Sequence, residues 1–157
     1  MKKILFTAII LITTIGAFAQ HKKNTVAAQE GCCSKSNTES IEKHHIIMQL
    51  SSNDTLVWKG LMNNLKHLKA GWGDSVQIEV VSHGPGIEML MTAKTTQQKK
   101  IAAFKAMGIV FVGCENTLKE RNIPRDALIP EAGTVPTGVG EIVLKQEQGW
   151  SYIKVGF

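Results

Sequence analysis

Short β-branched runs alternate with helix-length segments from His45 to Val155, and that order constrains the fold more than any other feature of the chain. His45-Ile46-Ile47-Met48-Gln49-Leu50 reads as a first strand. Ser51-Ser52-Asn53-Asp54 then supplies capping side chains for a helix that runs to about Ala70. Val57, Leu61, Leu65 and Leu68 place one apolar stripe on its core face, with Lys59, Asn63, Lys66 and Lys69 on solvated faces. Gly71-Trp72-Gly73-Asp74 ends it. Residues 76–81 read as a second strand, and His83-Gly84-Pro85-Gly86 as a turn. Residues 87–91 form a short helix, and 95–107 a longer one with Ile101, Phe104 and Met107 at helical spacing. Gly108 stops it, and Ile109 opens a third strand that closes on Cys114. A short helical piece follows through Arg121. Residues 134–136 make a brief fourth strand. Thr137 caps a helix over 138–148, with Ile142 and Val143 in its apolar face, and 150–155 form the last strand. Strands joined through helices pair in parallel, with helices on both faces. The fold class expected is α/β, with a mostly parallel sheet of about five strands.

The first residues belong to a different kind of segment. Met1-Lys2-Lys3 is short and positive, an apolar run extends from Ile4 to Phe18, and Ala17-Phe18-Ala19 has the small-x-small pattern of a signal-peptidase site. Residues 1–19 read as a secretory signal cut after Ala19, which predicts a periplasmic or secreted protein. The run is too short for a comfortable membrane span, so no membrane association is expected after cleavage. Residues 20–43 are polar and carry no apolar period, and they read as a flexible lead-in. The globular pattern occupies 44–157, about 110 residues, enough for one domain with one core. Loss of Lys2 and Lys3 lowers the formal charge from +5 to +3. No basic block is interleaved with aromatics, so nucleic acid is not an expected partner.

Cys114 combines a reactive atom with a suggestive place. It closes the apolar run Gly108-Ile109-Val110-Phe111-Val112-Gly113-Cys114, and polar Glu115-Asn116-Thr117 follow. Reactive groups in open α/β sheets collect past the carboxyl ends of strands. A thiol at a helix start also feels the positive end of the helix dipole, which favours the thiolate. Glu115 opposes that shift, because a neighbouring carboxylate disfavours a second anion. Two readings stand: a reactive thiol, or a small apolar filler, since free cysteine is often buried. His83 follows the second strand, and parallel strands end on the same edge, so a Cys/His pair is one arrangement. The other is an imidazole that merely bonds a turn carbonyl.

Three cysteines, Cys32, Cys33 and Cys114, are too few for a disulfide framework, and adjacent cysteines rarely bond each other. Cys32-Cys33 with His44-His45 offers soft ligands for copper or zinc. There is no CxxC pair at ligand spacing, so no metal site is assigned and no cofactor is expected. The alternative is two accessible thiols on a tether, able to form mixed disulfides. Lys99-Lys100 and Lys66-Lys69 read as solvated helix faces. Met89, Met91, Met107, Trp72 and Trp150 read as packing residues.

From about His44 to Phe157 the chain resembles the DsrE/DsrF-like (YchN-like) sulfur-relay family. The resemblance is carried by His83-Gly84-Pro85-Gly86-Ile87, by the run ending at Cys114, and by Cys114-Glu115-Asn116-Thr117-Leu118 leading to Arg121-Asn122-Ile123. Val135-Pro136-Thr137-Gly138-Val139 and Gln148-Gly149-Trp150-Ser151-Tyr152-Ile153-Lys154 complete it. It implies a flavodoxin-like three-layer sandwich that assembles into trimers or hexamers. It also implies a cysteine at the position of Cys114 that carries sulfur as a persulfide and passes it to a thiol-bearing partner protein. His83 and Asn116 are the candidate supporting residues for that anion. The well-understood members work in the cytoplasm, so the export signal sets this chain apart. Three functions follow: a sulfur carrier, a non-catalytic binding or assembly module in which Cys114 is structural, and a soft-metal binder through Cys32 and Cys33.

Overall fold

The computed structural model describes residues 43–156. The expected signal sequence and the lead-in as far as residue 42, with Cys32 and Cys33, lie outside the described residues. Five parallel strands form one sheet in the order β4-β3-β2-β1-β5: β1 His44–Leu50, β2 Val76–Ser82, β3 Val110–Cys114, β4 Gly133–Val135 and β5 Ser151–Val155. The helices are α1 Thr55–Trp72, α2 Gln98–Ala106, α3 Glu115–Glu120 and α4 Gly138–Glu147. The expected α/β architecture is therefore present, with helices on both faces of a fully parallel sheet.

Local chemistry explains most boundaries. The Asp54 carboxylate accepts from the Leu56 N–H and caps α1, and the Thr137 hydroxyl accepts from the Gly140 N–H at the start of α4. The turn after β2 is a tight 3₁₀ stretch over Gly84–Leu90. A Cβ at Gly86 would collide with the Leu50 carbonyl, so glycine lets this turn lie directly on the end of β1.

The two faces differ in what covers them. On the first, α1, α2 and α3 pack Trp58, Leu61, Leu65, Ile101, Phe104 and Leu118 against Met48, Ile78, Val80 and Phe111 in one continuous core. On the second, α4 stands over a much smaller cluster of Ile47, Val81, Val112 and Ile142, edged by Val135 and Trp150.

Several sequence expectations need correction. Lys69 is buried rather than solvated: its ammonium turns back to the Gly73 carbonyl at 2.8 Å and satisfies the end of α1. Trp58 and Met62 join the buried stripe, which is wider than the four positions expected. Only Ile142 of the Ile142-Val143 pair faces the sheet, and Val143 is exposed. Met107 and Trp72 are exposed too; Met107 lies past the end of α2, while Trp72 stacks on His44 at 4.2 Å.

Candidate functional site

The strand order creates a crevice. Leu118 of α3, which leaves β3, packs into the first-face core, whereas Ile142 of α4, which follows β4, packs into the second. β3 and β4 are neighbours, so their onward chains diverge between their carboxyl ends. That is a topological switch point, where parallel α/β folds hold ligands and reactive groups. Cys114 is the last residue of β3 and pairs with Val135, the last of β4.

Alternation along β3 sets the direction of the thiol. Phe111 belongs to the first-face core and Val112 to the second, so Cys114 falls on the second face with Val112. There it meets the start of α4. A Cβ built on Gly138 would stand 3.2 Å from the Cys114 Cβ, 3.2 Å from the His83 Cβ and 3.1 Å from Val81. The bare Gly138 backbone therefore fits against the thiol where a larger residue would be crowded.

Burial pushes the Cys114 thiol up, but hydrogen bonds to its sulfur outweigh it and hold the pKa below the ordinary thiol value. That lowering comes from the backbone N–H groups of Thr117, Gly138 and Asn116 and from the Thr117 hydroxyl. They come from the starts of both α3 and α4, one on each side of the crevice. Asn116 contributes only through its backbone, since its side chain is exposed and its N–H also lies 3.3 Å from the Pro136 carbonyl. Glu115 does not face the thiol: its carboxylate accepts from Thr134 Oγ1 at 2.8 Å and pairs with Arg125 at 3.6 Å. Those partners direct its charge away from the sulfur, which removes the objection that sequence order raised. Cys114 is a free thiol, 5% exposed.

Thr117 was not singled out by the sequence. Its buried hydroxyl also accepts from the Gly84 N–H at 3.0 Å, and Gly84 holds a φ of +52°. Thr117 thus ties the turn after β2 to the thiol. The signal was available: Thr117 is the third residue after Cys114, one helical turn on, where a side chain returns to the helix start.

His83 lies beside Cys114 but takes a different partner. Its Nε2 stands 2.6 Å from Gln49 Nε2, and the Tyr152 hydroxyl donates to Gln49 Oε1. With the Gln49 amide donating, His83 Nε2 is an acceptor and the ring proton sits on Nδ1. Burial lowers the His83 pKa, which favours the same neutral ring. Cys114, His83, Gln49 and Tyr152 thus form a polar row across four adjacent strands. Gln49 and Tyr152 were not anticipated, because they meet only through strand register. His83 bonds a side chain, not the turn carbonyl that one reading expected.

The remaining candidates are elsewhere. His44 stacks on Trp72, and His45 lies 5.2 Å from Trp150, both on β1 near its amino end, away from Cys114. Among the described residues, no three metal-ligating side chains cluster. A hollow of about 770 Å³ lined by Glu115, Leu118, Lys119, Ile123, Pro124 and Arg125 lies beside α3, and Cys114 does not line it.

A parallel α/β domain with a free thiol of lowered pKa at its switch point defines a class of cysteine-bearing proteins rather than a single reaction. The comparisons narrow the class. The model of the DsrE/DsrF-like family matches residues 34–155, and the chain belongs to that family. Among solved structures, it is similar to MTH1491 from Methanobacterium thermoautotrophicum, a protein of unknown function. The two share 28% identity at a TM-score of 0.68, over 71% of this chain and 99% of that one. No curated protein matches the chain.

Proposed function

We propose that this protein is a sulfane-sulfur carrier. The Cys114 thiolate attacks the sulfane sulfur of a persulfide or thiosulfate-class donor, and the donor's former partner atom leaves with the bonding electron pair. Cys114 then holds the sulfur as a persulfide and yields it by thiol exchange to a partner thiol. The observation that carries this reading is a free thiol at the carboxyl end of β3, seated between the starts of α3 and α4 against the bare Gly138 backbone, with its pKa lowered there. Family membership supports it at the level of sulfur relay. His83 and the Asn116 backbone flank the anion as supporting groups. The test is to load the purified protein with a persulfide donor and weigh it intact. A gain of one sulfur atom that disappears in Cys114→Ser is the expected result; no adduct on the parent overturns the reading.

The 5% exposure of Cys114 favours a second reading, a binding or assembly module in which the thiol is structural. A Cys114→Ala variant with full function in cells would support it. Both readings include export to the periplasm or medium with cleavage after Ala19, checked by sequencing the mature N-terminus. Both also include assembly into trimers or hexamers, checked by sedimentation.

A further inference from the structure

Gln49 and Tyr152 have no part in the step proposed above, yet both lead to the ring beside the thiol. Ser82 is level with Gly113, so His83 and Cys114 leave neighbouring strands side by side. Each Cβ lies 3.2 Å from one built on Gly138. Because β2 runs between β3 and β1, Cys114 flanks His83 on one side and Gln49 on the other.

The two nitrogens of an imidazole lie on opposite flanks of its Cβ–Cγ axis. His83 Nε2 is taken on the β1 side, 2.6 Å from Gln49 Nε2. Nδ1 is therefore on the flank towards β3 and Cys114. Among the described residues it has no hydrogen-bond partner, and it is open to solvent. Tyr152 decides how the amide is turned. A phenol O–H donates more readily than it accepts, and this one donates to Gln49 Oε1, which leaves the amide N–H for His83. A donor on Nε2 requires a lone pair there, so the ring proton is on Nδ1. Burial keeps the ring neutral by lowering its pKa. A neutral ring N–H can stabilise an anion by hydrogen bonding without giving up its proton.

We propose that Gln49 and Tyr152 are positioning residues for sulfur loading: they fix the tautomer of His83 so that its free Nδ1–H, on the Cys114 side, receives the anion that leaves the sulfur donor. This rests on the carrier reading above and names what the donor must release, a sulfite or thiolate anion. The Cys114 thiolate forms a bond to the sulfane sulfur. The bond from that sulfur to the leaving atom breaks, and its electron pair goes with the leaving group. One anion enters and one leaves, so no proton is transferred and no oxidant or reductant takes part. His83 acts by its hydrogen bond alone.

The experiment uses nitrogen-labelled protein and long-range proton–nitrogen correlation to read the His83 tautomer, with His83→Gln identifying the ring signals. Sulfur loading from thiosulfate is followed by intact mass, and Cys114 alkylation gives the thiolate fraction at each pH. The other ionisable side chains beside the ring on this face are Cys114 and Tyr152, with Lys154 level with Gln49 on β5. The parent is expected to hold the proton on Nδ1. In Gln49→Glu the carboxylate can only accept, so the neutral ring moves its proton to Nε2. Above the pH at which that ring titrates, loading at matched thiolate fraction falls about tenfold, a difference of about 1.4 kcal/mol in barrier. Below it the imidazolium carries both N–H groups, and loading returns towards the parent rate. Tyr152→Phe, at an exposed position, frees the amide to turn, mixes the tautomers and lowers loading less. An unchanged tautomer in both variants, or a changed tautomer with unchanged loading, overturns the proposal. Absence of any adduct on the parent is a separate outcome: it overturns the carrier reading and this role with it.

Discussion

The sheet face under α1, α2 and α3 buries Trp58, Leu61, Leu65, Ile78, Ile87, Leu90 and Phe111, with apolar neighbours on every side. The face under α4 buries only Ile47, Val81, Val112 and Ile142 as its apolar cluster, edged by Val135 and Trp150, and polar groups share that face. At one end, Cys114, His83, Gln49 and Tyr152 line the carboxyl edge. Further down, the buried Glu79 carboxylate pairs with Lys145 at 2.9 Å, and the Lys145 ammonium lies 4.5 Å from the Trp150 ring centre. One Glu79 oxygen has no partner, and burial raises its pKa despite Lys145. Apolar area removed from water stabilises, whereas buried polar groups at best break even. The first face therefore supplies most of the stability, and the second trades stability for a polar edge where a thiol can be charged.

Mutations can separate the two roles. Leu65→Ala on the first face removes a fully buried side chain and is expected to cost about 3–5 kcal/mol in urea unfolding. The pH midpoint of Cys114 alkylation should stay where it is; a large shift there would show that the faces are not independent. Lys145→Ala leaves the Glu79 carboxylate buried without its cation and is expected to cost about 3 kcal/mol by the same measurement. Lys145→Ala/Glu79→Leu should recover most of that loss, since the pair contributes little net stability.

Thr117→Val is the sharpest probe of the edge. It removes a hydroxyl that accepts from the Gly84 N–H and helps to lower the thiol pKa, at an expected cost of about 1–2 kcal/mol. The Cys114 alkylation midpoint should rise towards the ordinary thiol value. An unchanged midpoint would leave the backbone N–H groups as the whole cause of the lowered pKa.

His83 predicts a pH effect with a definite sign. Its folded pKa lies below the unfolded value, so on acidification the unfolded chain takes up the proton first. Stability is lost as pH falls from the ordinary histidine value through the folded one. His83→Gln should reduce the drop in urea midpoint between about pH 7 and about pH 5. Glu79 works in the opposite sense: its raised pKa removes stability as pH climbs from the ordinary carboxyl value, so the comparison must be with His83→Gln and not with the parent profile alone. The smallest effect is expected for Tyr152→Phe. It removes one hydrogen bond at a 40% exposed position, costs less than about 1 kcal/mol by urea unfolding, and leaves Cys114 alkylation unchanged.

The sequence by itself determined the strand and helix order, because side-chain period, β-branched runs, caps and glycines act within a few residues of each other. The α1 stripe, the Asp54 and Thr137 caps and the strand ending at Cys114 are all local in this sense. It also marked Cys114 as the position of interest, and alternation made the sheet parallel. Tertiary structure alone decided what surrounds the thiol. Gly138 reaches Cys114 from 24 residues away, and Gln49 reaches His83 from 34 residues away, only because β1, β2, β3 and β4 lie side by side in register. Glu115 shows the limit of proximity in sequence: it adjoins Cys114 along the chain, yet Thr134 and Arg125 draw its charge off the sulfur. Electrostatic influence depends on distance and direction in space. The pattern along the chain could place the thiol at a strand end, but only the packed sheet shows which charges and dipoles face it.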